Sequence, residues 1–149
     1  MCGAHYDMID FSIVIHAEAG TEESRAELRS WMKYLSQFAH SLDLARAKPL
    51  GDWLLEKPDG ILECTLAVEG EDYAIYLADP REVEDAAFGT PLCGTVRFAL
   101  PEGEYSLATF SPSSGGYSPA LHICGGQETT FDLLPLHHDI VVRLTRLKS

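Results

Sequence analysis

Between Thr21 and Leu42 the sequence TEESRAELRSWMKYLSQFAHSL sets Leu28, Trp31, Met32, Leu35, Phe38, Ala39 and Leu42 at steps of three and four. That spacing gathers them on one side of a helix and leaves Arg25, Glu27, Arg29 and Lys33 on the other. Thr21 carries the hydroxyl of an N-cap, and Glu22 and Glu23 complement the positive end of the helix dipole. Just ahead, IDFSIVIH (9–16) is short and rich in Ile, Phe and Val, which predicts a strand. One strand–helix unit cannot bury its own apolar side. It needs a sheet or a neighbour to pack on.

From about residue 50 the pattern changes to short alternating runs. We read strands in ILECTLAV (61–68), YAIYLAD (73–79), GTVRFAL (94–100), EYSLATF (104–110), SPALHIC (118–124), QETTFDL (127–133) and DIVVRLTRL (139–147). Their connectors are EGED, PREVEDAAFGTPLC, PEG, SPSSGG, GG and LPLHH. Links of hairpin length predict antiparallel pairing of successive strands, and about seven strands in about a hundred residues predict a β-sandwich. The expected fold is therefore mostly β. An antiparallel sandwich of about seven strands fills 51–149, preceded by one strand–helix unit in 1–50, with 43–58 as a linker carrying a short helical or irregular piece. The Ser/Gly-rich centre of EGEYSLATFSPSSGGYSP (102–119) reads as a hairpin turn rather than a phosphate loop. No helix follows it, the next lysine is Lys148, and Pro112 with Gly115-Gly116 supplies the torsions of a turn.

Composition narrows the function classes. Hydrophobic residues make up 46% of the 149, enough for a core. A net charge of −12 repels phosphate backbones, and Arg143, Arg146 and Lys148 are too sparse for a nucleic-acid patch. No run is long and apolar enough to cross a bilayer. MCGAHYDMIDF lacks the basic flank and apolar stretch of a signal peptide, so the expected location is cytoplasmic, an expectation that a fragmentary start would void. Cys2, Cys64, Cys93 and Cys124 lie far apart with no CxxC pair, which argues against a zinc ribbon or a redox site. Cys64, Cys93 and Cys124 sit in apolar runs and are expected as buried free thiols.

Polar clusters and aromatics supply the candidate sites. His5, Asp7, Asp10 and His16 are the densest polar group, suited to acid–base work or a metal, and equally to capping turns at a strand start. In His137-His138-Asp139 neighbouring side chains leave opposite faces of a strand, so the two imidazoles are expected as solvated turn residues. Ser113 and Ser114 lack a partner base. Glycan binding would use exposed aromatics, with Trp53, Tyr76, Tyr105 and Tyr117 as candidates, although strand aromatics usually fill sandwich cores. Trp31 is expected to pack. No metal or cofactor is expected.

The segment EDYAIYLAD…GTVRFALPEGEYSLATFSPSSGG…CGGQETTFDLLPLHHDIVVRLTRL resembles the small β-sandwich, often labelled collagen-binding, that ends many TIM-barrel glycoside hydrolases. Tyr73, Ala74, Ile75, Tyr76 and Leu77 match its first strand. Gly103, Tyr105, Phe110, Pro112 and Gly115 match its G-x-Y hairpin. Gly125, Gly126, Phe131, Pro135, Asp139, Val141 and Leu144 match its final pair of strands. Ser111 departs from the Asp that usually precedes the proline. Ahead of it, YDMIDFS is similar to the last barrel strand of the same enzymes through Tyr6, Asp7, Ile9, Asp10, Phe11 and Ser12. Arg25 or Arg29, Leu35 and Phe38 fit the final barrel helix.

The resemblance implies the tail of a glycosidase without its machinery. A complete barrel takes about 250 residues, and hydrolysis needs two carboxylates about 5–10 Å apart, which the family takes from earlier strands. No catalytic residue is expected here; substrate contacts are expected from His5, Asp7, Asp10, Trp53 and Tyr117. The leading expectation is a non-catalytic accessory module with a packing or weak glycan-binding role. One alternative is a part of a hydrolase that needs missing or partner-supplied barrel strands. Another is a small structural or interaction protein. The expected partners are a glycan and a second copy joined through 9–42, with nucleic acid and membrane excluded; the collagen label implies nothing by itself.

Overall fold

The computed structural model describes residues 21–81 and 84–148. The expected strand at 9–16, with His5, Asp7, Asp10, His16 and Cys2, lies outside them. One helix, α1 (Glu22–His40), is followed by β1 (Leu54–Glu56), β2 (Leu62–Val68), β3 (Asp72–Ala78) and β4 (Leu92–Ala99). Then come β5 (Glu104–Phe110), β6 (Leu121–Cys124), β7 (Glu128–Leu136) and β8 (Asp139–Arg146). All seven expected strands form; the short β1 is an addition that falls in the expected linker.

Two antiparallel sheets face each other, one ordered β1-β4-β7 and the other β2-β3-β8-β5-β6. Strand alternation builds the space between them. Tyr73, Ile75 and Leu77 of β3, Tyr105 and Leu107 of β5, and Val142 and Leu144 of β8 point inward to meet Val96 and Phe98 of β4 and Leu133 of β7. Ile75, Leu77, Phe98, Tyr105 and Leu144 are fully excluded from water. A sandwich of this kind is the expected fold.

The connections differ from the expectation that successive strands pair. Only the links β2–β3 and β5–β6 are hairpins within one sheet. The short links after β4, β6 and β7 instead carry the chain from one sheet to the other. The facing sheets of a sandwich lie only about 10 Å apart, so a few residues suffice to turn a corner. At the first two corners Gly125 N–H donates to Gly103 O (2.7 Å), Gly126 N–H to Leu100 O (2.9 Å) and Tyr105 O–H to Pro101 O (3.1 Å). Gly125 is obligatory there, since a Cβ would run into the carbonyl of Pro101.

The 111–116 turn is the expected hairpin connection: Ser111 N–H donates to Gly116 O at 2.9 Å, and Phe110 bridges to Tyr117. Thr21 caps α1 as expected, in a reciprocal capping box with Ser24. The helix lies on the outer face of the five-stranded sheet. Phe38, 3% exposed, stacks on Phe110 with ring centroids 4.8 Å apart and packs with Ala74 and Val141. Arg143 secures the helix end. Its Nη1 donates to Ser41 Oγ (2.6 Å) and its Nη2 to Ser41 O (2.8 Å), while Asp72 pairs with the guanidinium at 2.7 Å.

Candidate functional site

α1 is fastened to the sheet near its C-terminal end, through Phe38 and Ser41. Between helix and sheet lies a cavity of about 820 Å³. The helix contributes Leu28, Trp31, Met32, Leu35 and Phe38, the stripe predicted from the three-and-four spacing. Alternation on the facing strands supplies Cys64, Tyr76 and Ala78, with Val141 and Phe110 at the closed end. Trp31 is 44% exposed, Leu35 43%, Phe88 39% and Met32 37%. Trp31 therefore corrects the expectation that it packs. Periodicity put it on the apolar side of α1, but nothing among the described residues closes over that side.

One wall is polar. Tyr76 O–H donates to Asp139 Oδ2 at 2.9 Å. Burial, reinforced by the Asp139 carboxylate, pushes the phenol's pKa up, so it stays a proton donor. Asp79, with only 3% of its side chain exposed, grips Arg81 at 2.7 Å, and the Arg81 hydrogen bonds bring its pKa down to about 2. Arg81 also donates to Ala87 O (2.7 Å) and Thr90 O (2.5 Å), which folds the 84–90 segment over so that Phe88 reaches the rim. Phe88 sits beside His138, ring centroids 6.3 Å apart. His138 lines the cavity, and both His137 and His138 are exposed in the turn between β7 and β8, the solvated turn residues expected. The wall offers no pair of unshared carboxylates, since Asp79 is engaged by Arg81 and Asp139 by Tyr76.

The remaining candidates fall in different places. Trp53 is 8% exposed and belongs to the core, its indole N–H donating to Leu50 O (2.8 Å) and its ring edge-on to Tyr73 at 4.9 Å. Tyr105 is fully buried. Tyr117 is on the surface, 49% exposed, with its ring tilted on Phe110 at 4.9 Å, so it prolongs the ring row that begins at Phe38. Ser111, Ser113 and Ser114 bond among themselves and hold the turn.

The cysteines correct the expectation of burial. Cys64 is half-buried at the cavity wall, and Cys93 and Cys124 are exposed. Cys93 falls beside a register shift on β4, in the three-stranded sheet, which no helix among the described residues covers, and Cys124 ends the edge strand β6. The Glu104 carboxylate next to Cys124 pushes its thiol pKa up. Phe88 was missed as a site residue, being far in sequence from the helix it faces, and His138, expected only as a solvated turn residue, carries no local pattern that points to the cavity. Among the described residues no helix is long and apolar enough to cross a membrane.

No family model matches the chain, and no curated protein matches it by sequence. Solved structures do match by shape. A protein described as a glycoside hydrolase shares the fold with a TM-score of 0.58 and 10% identity, over 78% of this chain and 24% of its own. A family 5 glycoside hydrolase from Bacteroides vulgatus ATCC 8482 gives a TM-score of 0.56 and 10% identity over the same shares. The chain thus spans about a quarter of the length of these structures, and at this identity the likeness is one of fold.

Proposed function

We propose that the chain is a non-catalytic module of a glycoside hydrolase-like protein, whose task is to pack against the remainder of such a protein through α1 and the outer face of the five-stranded sheet. One observation carries this reading: an apolar groove left open beside a helix, in a fold that matches only 24% of each glycoside hydrolase structure. A groove lined by Trp31, Met32 and Leu35 is costly to leave in water and favours a covering surface. A second copy is the other cover it accepts, joined through the helix within 9–42.

The test uses the isolated full chain. The reading expects no turnover of aryl glycosides or polysaccharides, and binding of an apolar dye that is lost in Trp31→Glu/Leu35→Glu. Turnover abolished by Asp7→Asn or Asp10→Asn would overturn it and return the chain to the hydrolases. A mass of two chains that falls to one in the same double variant would assign the groove to self-association.

A glycan-binding role rests on Tyr117, whose half-exposed ring, backed by Phe110, is a stacking platform. Saturable polysaccharide binding lost in Tyr117→Ala supports it; Trp53→Ala would act through the core and serves as the folding control.

A further inference from the structure

Six residues along β5 from Phe110, roughly 20 Å away, the same outer face carries a second constellation. His122 and Cys124 stand two apart on β6, so their side chains leave the sheet on one side. Glu104 of β5 lies directly opposite Cys124 in the ladder, and Ser106 opposite His122. Glu104 Oε2 is 2.7 Å from His122 Nε2 and 3.6 Å from Cys124 Sγ. The three donor atoms all lie within 4.8 Å of one another. Glu104 and His122 make this contact with both side chains more than half exposed.

We propose that Glu104, His122 and Cys124 form a zinc-binding site, with the fourth tetrahedral position left to water. The donor set selects the ion. A thiolate with an imidazole disfavours magnesium and calcium, which take oxygen, and a single sulfur beside nitrogen and oxygen suits zinc better than copper(I). Backbone pairing of β5 with β6 fixes where the three side chains start, so the ion need not organise the chain. Tetrahedral zinc keeps its donors about 3.3–3.6 Å apart. The Nε2–Oε2 hydrogen bond must therefore open by less than about 1 Å as the metal takes the place of its proton, a change that exposed side chains make by rotation alone. The chain's charge of −12 favours the arrival of a cation. Bound zinc would tie β6, only four residues long and at the sheet edge, to β5.

The pattern was present in the sequence as His-x-Cys on a strand. A local window does not single it out, because apolar neighbours point to burial of Cys124 and because Glu104 joins only through the register of the β5–β6 hairpin.

The test is a titration of the full chain, stripped with a chelator, first with cobalt(II) and then with zinc(II). Expected is saturation at about one equivalent, with thiolate-to-cobalt charge transfer in the near ultraviolet, intense visible bands of tetrahedral cobalt, and their loss as zinc displaces it. The signals should persist in a Cys2→Ser/Cys64→Ser/Cys93→Ser background. Adding Cys124→Ser should remove the charge-transfer band, and His122→Ala or Glu104→Gln should weaken binding by about tenfold or more. Zinc should raise the melting temperature of the parent and not of Cys124→Ser, whose circular dichroism reports whether it folds. A background variant without the thiolate band, binding indifferent to Cys124→Ser and His122→Ala, or a weak octahedral cobalt spectrum would each overturn the site.

Discussion

The two faces of the five-stranded sheet meet apolar partners in different ways. On the inner face Ile75, Leu77, Tyr105 and Leu144 have no water contact, because a second sheet packs over them and short corners tie the two sheets together. On the outer face one helix is asked to do the same, and it is fastened by Phe38, Ser41 and the Gly115 turn near its end. Trp31, Met32 and Leu35, only one or two turns earlier, remain more than a third exposed. A layer stitched at several points closes its core, whereas a layer hinged at one end leaves a groove. Apolar composition alone does not separate the two.

Removing matched apolar volume from each region should give the largest difference. Leu77→Ala in the inner core should cost about 2–5 kcal/mol in urea unfolding, while Leu35→Ala in the groove should cost less than about 1 kcal/mol. Equal costs would mean that the groove is as closed as the core. Next comes the fastening of the helix. A side chain at Gly115, whose φ is +70°, would strike the ring of Tyr34. Gly115→Val should therefore cost about 2 kcal/mol and release α1 to hydrogen exchange before the sandwich. Loss of protection in both regions together would refute a hinged helix.

Arg143 gives a smaller effect of the same kind. Its guanidinium joins Ser41 to Asp72 with both charged side chains less than a fifth exposed. Arg143→Ala should cost about 1–2 kcal/mol and raise exchange at the C-terminal end of α1 above that of Arg143→Lys.

The smallest effect concerns pH and the rim. Asp79 titrates at about 2 instead of the usual 3.8, chiefly because of the Arg81 hydrogen bonds. A depressed carboxyl pKa stabilises the fold at and above the unfolded value, and that contribution is lost as pH falls from about 4 towards 2. Acid melts of Asp79→Asn should be flatter over that window than those of the parent. Parallel curves would show that the Asp79–Arg81 clasp contributes nothing.

Much of this was legible in the chain, for physical reasons that differ by element. The helix, its Thr21 cap and the alternation of YAIYLA and DIVVRL announce themselves because a local period repeats over several residues. The sheet partners do not, since PEG and GG carry the same turn chemistry whether the chain doubles back or changes sheet; only the long-range register decides. Exposure was the harder quantity. An apolar run around Cys93 or Cys124 says that a strand forms, not which face of it is covered. Likewise Trp53 and Tyr117 are both aromatic residues near turns, yet one fills the core and the other stands on the surface. Assembly of the groove, and of the Glu104–His122–Cys124 triad, depends on residues brought together across strands, which no local window contains.

The chain's two tryptophans allow the most direct measurement, because Trp31 lines the groove and Trp53 lies in the core. Acrylamide quenching of the single-tryptophan variants Trp53→Phe and Trp31→Phe, at a dilution where the chain is monomeric, reads the two regions separately. The predicted result is rapid quenching of Trp31, slow quenching of Trp53, and protection of Trp31 alone once a covering partner is added. Equal protection of both tryptophans in the monomer would contradict an open groove and, with it, the packing role assigned to that face.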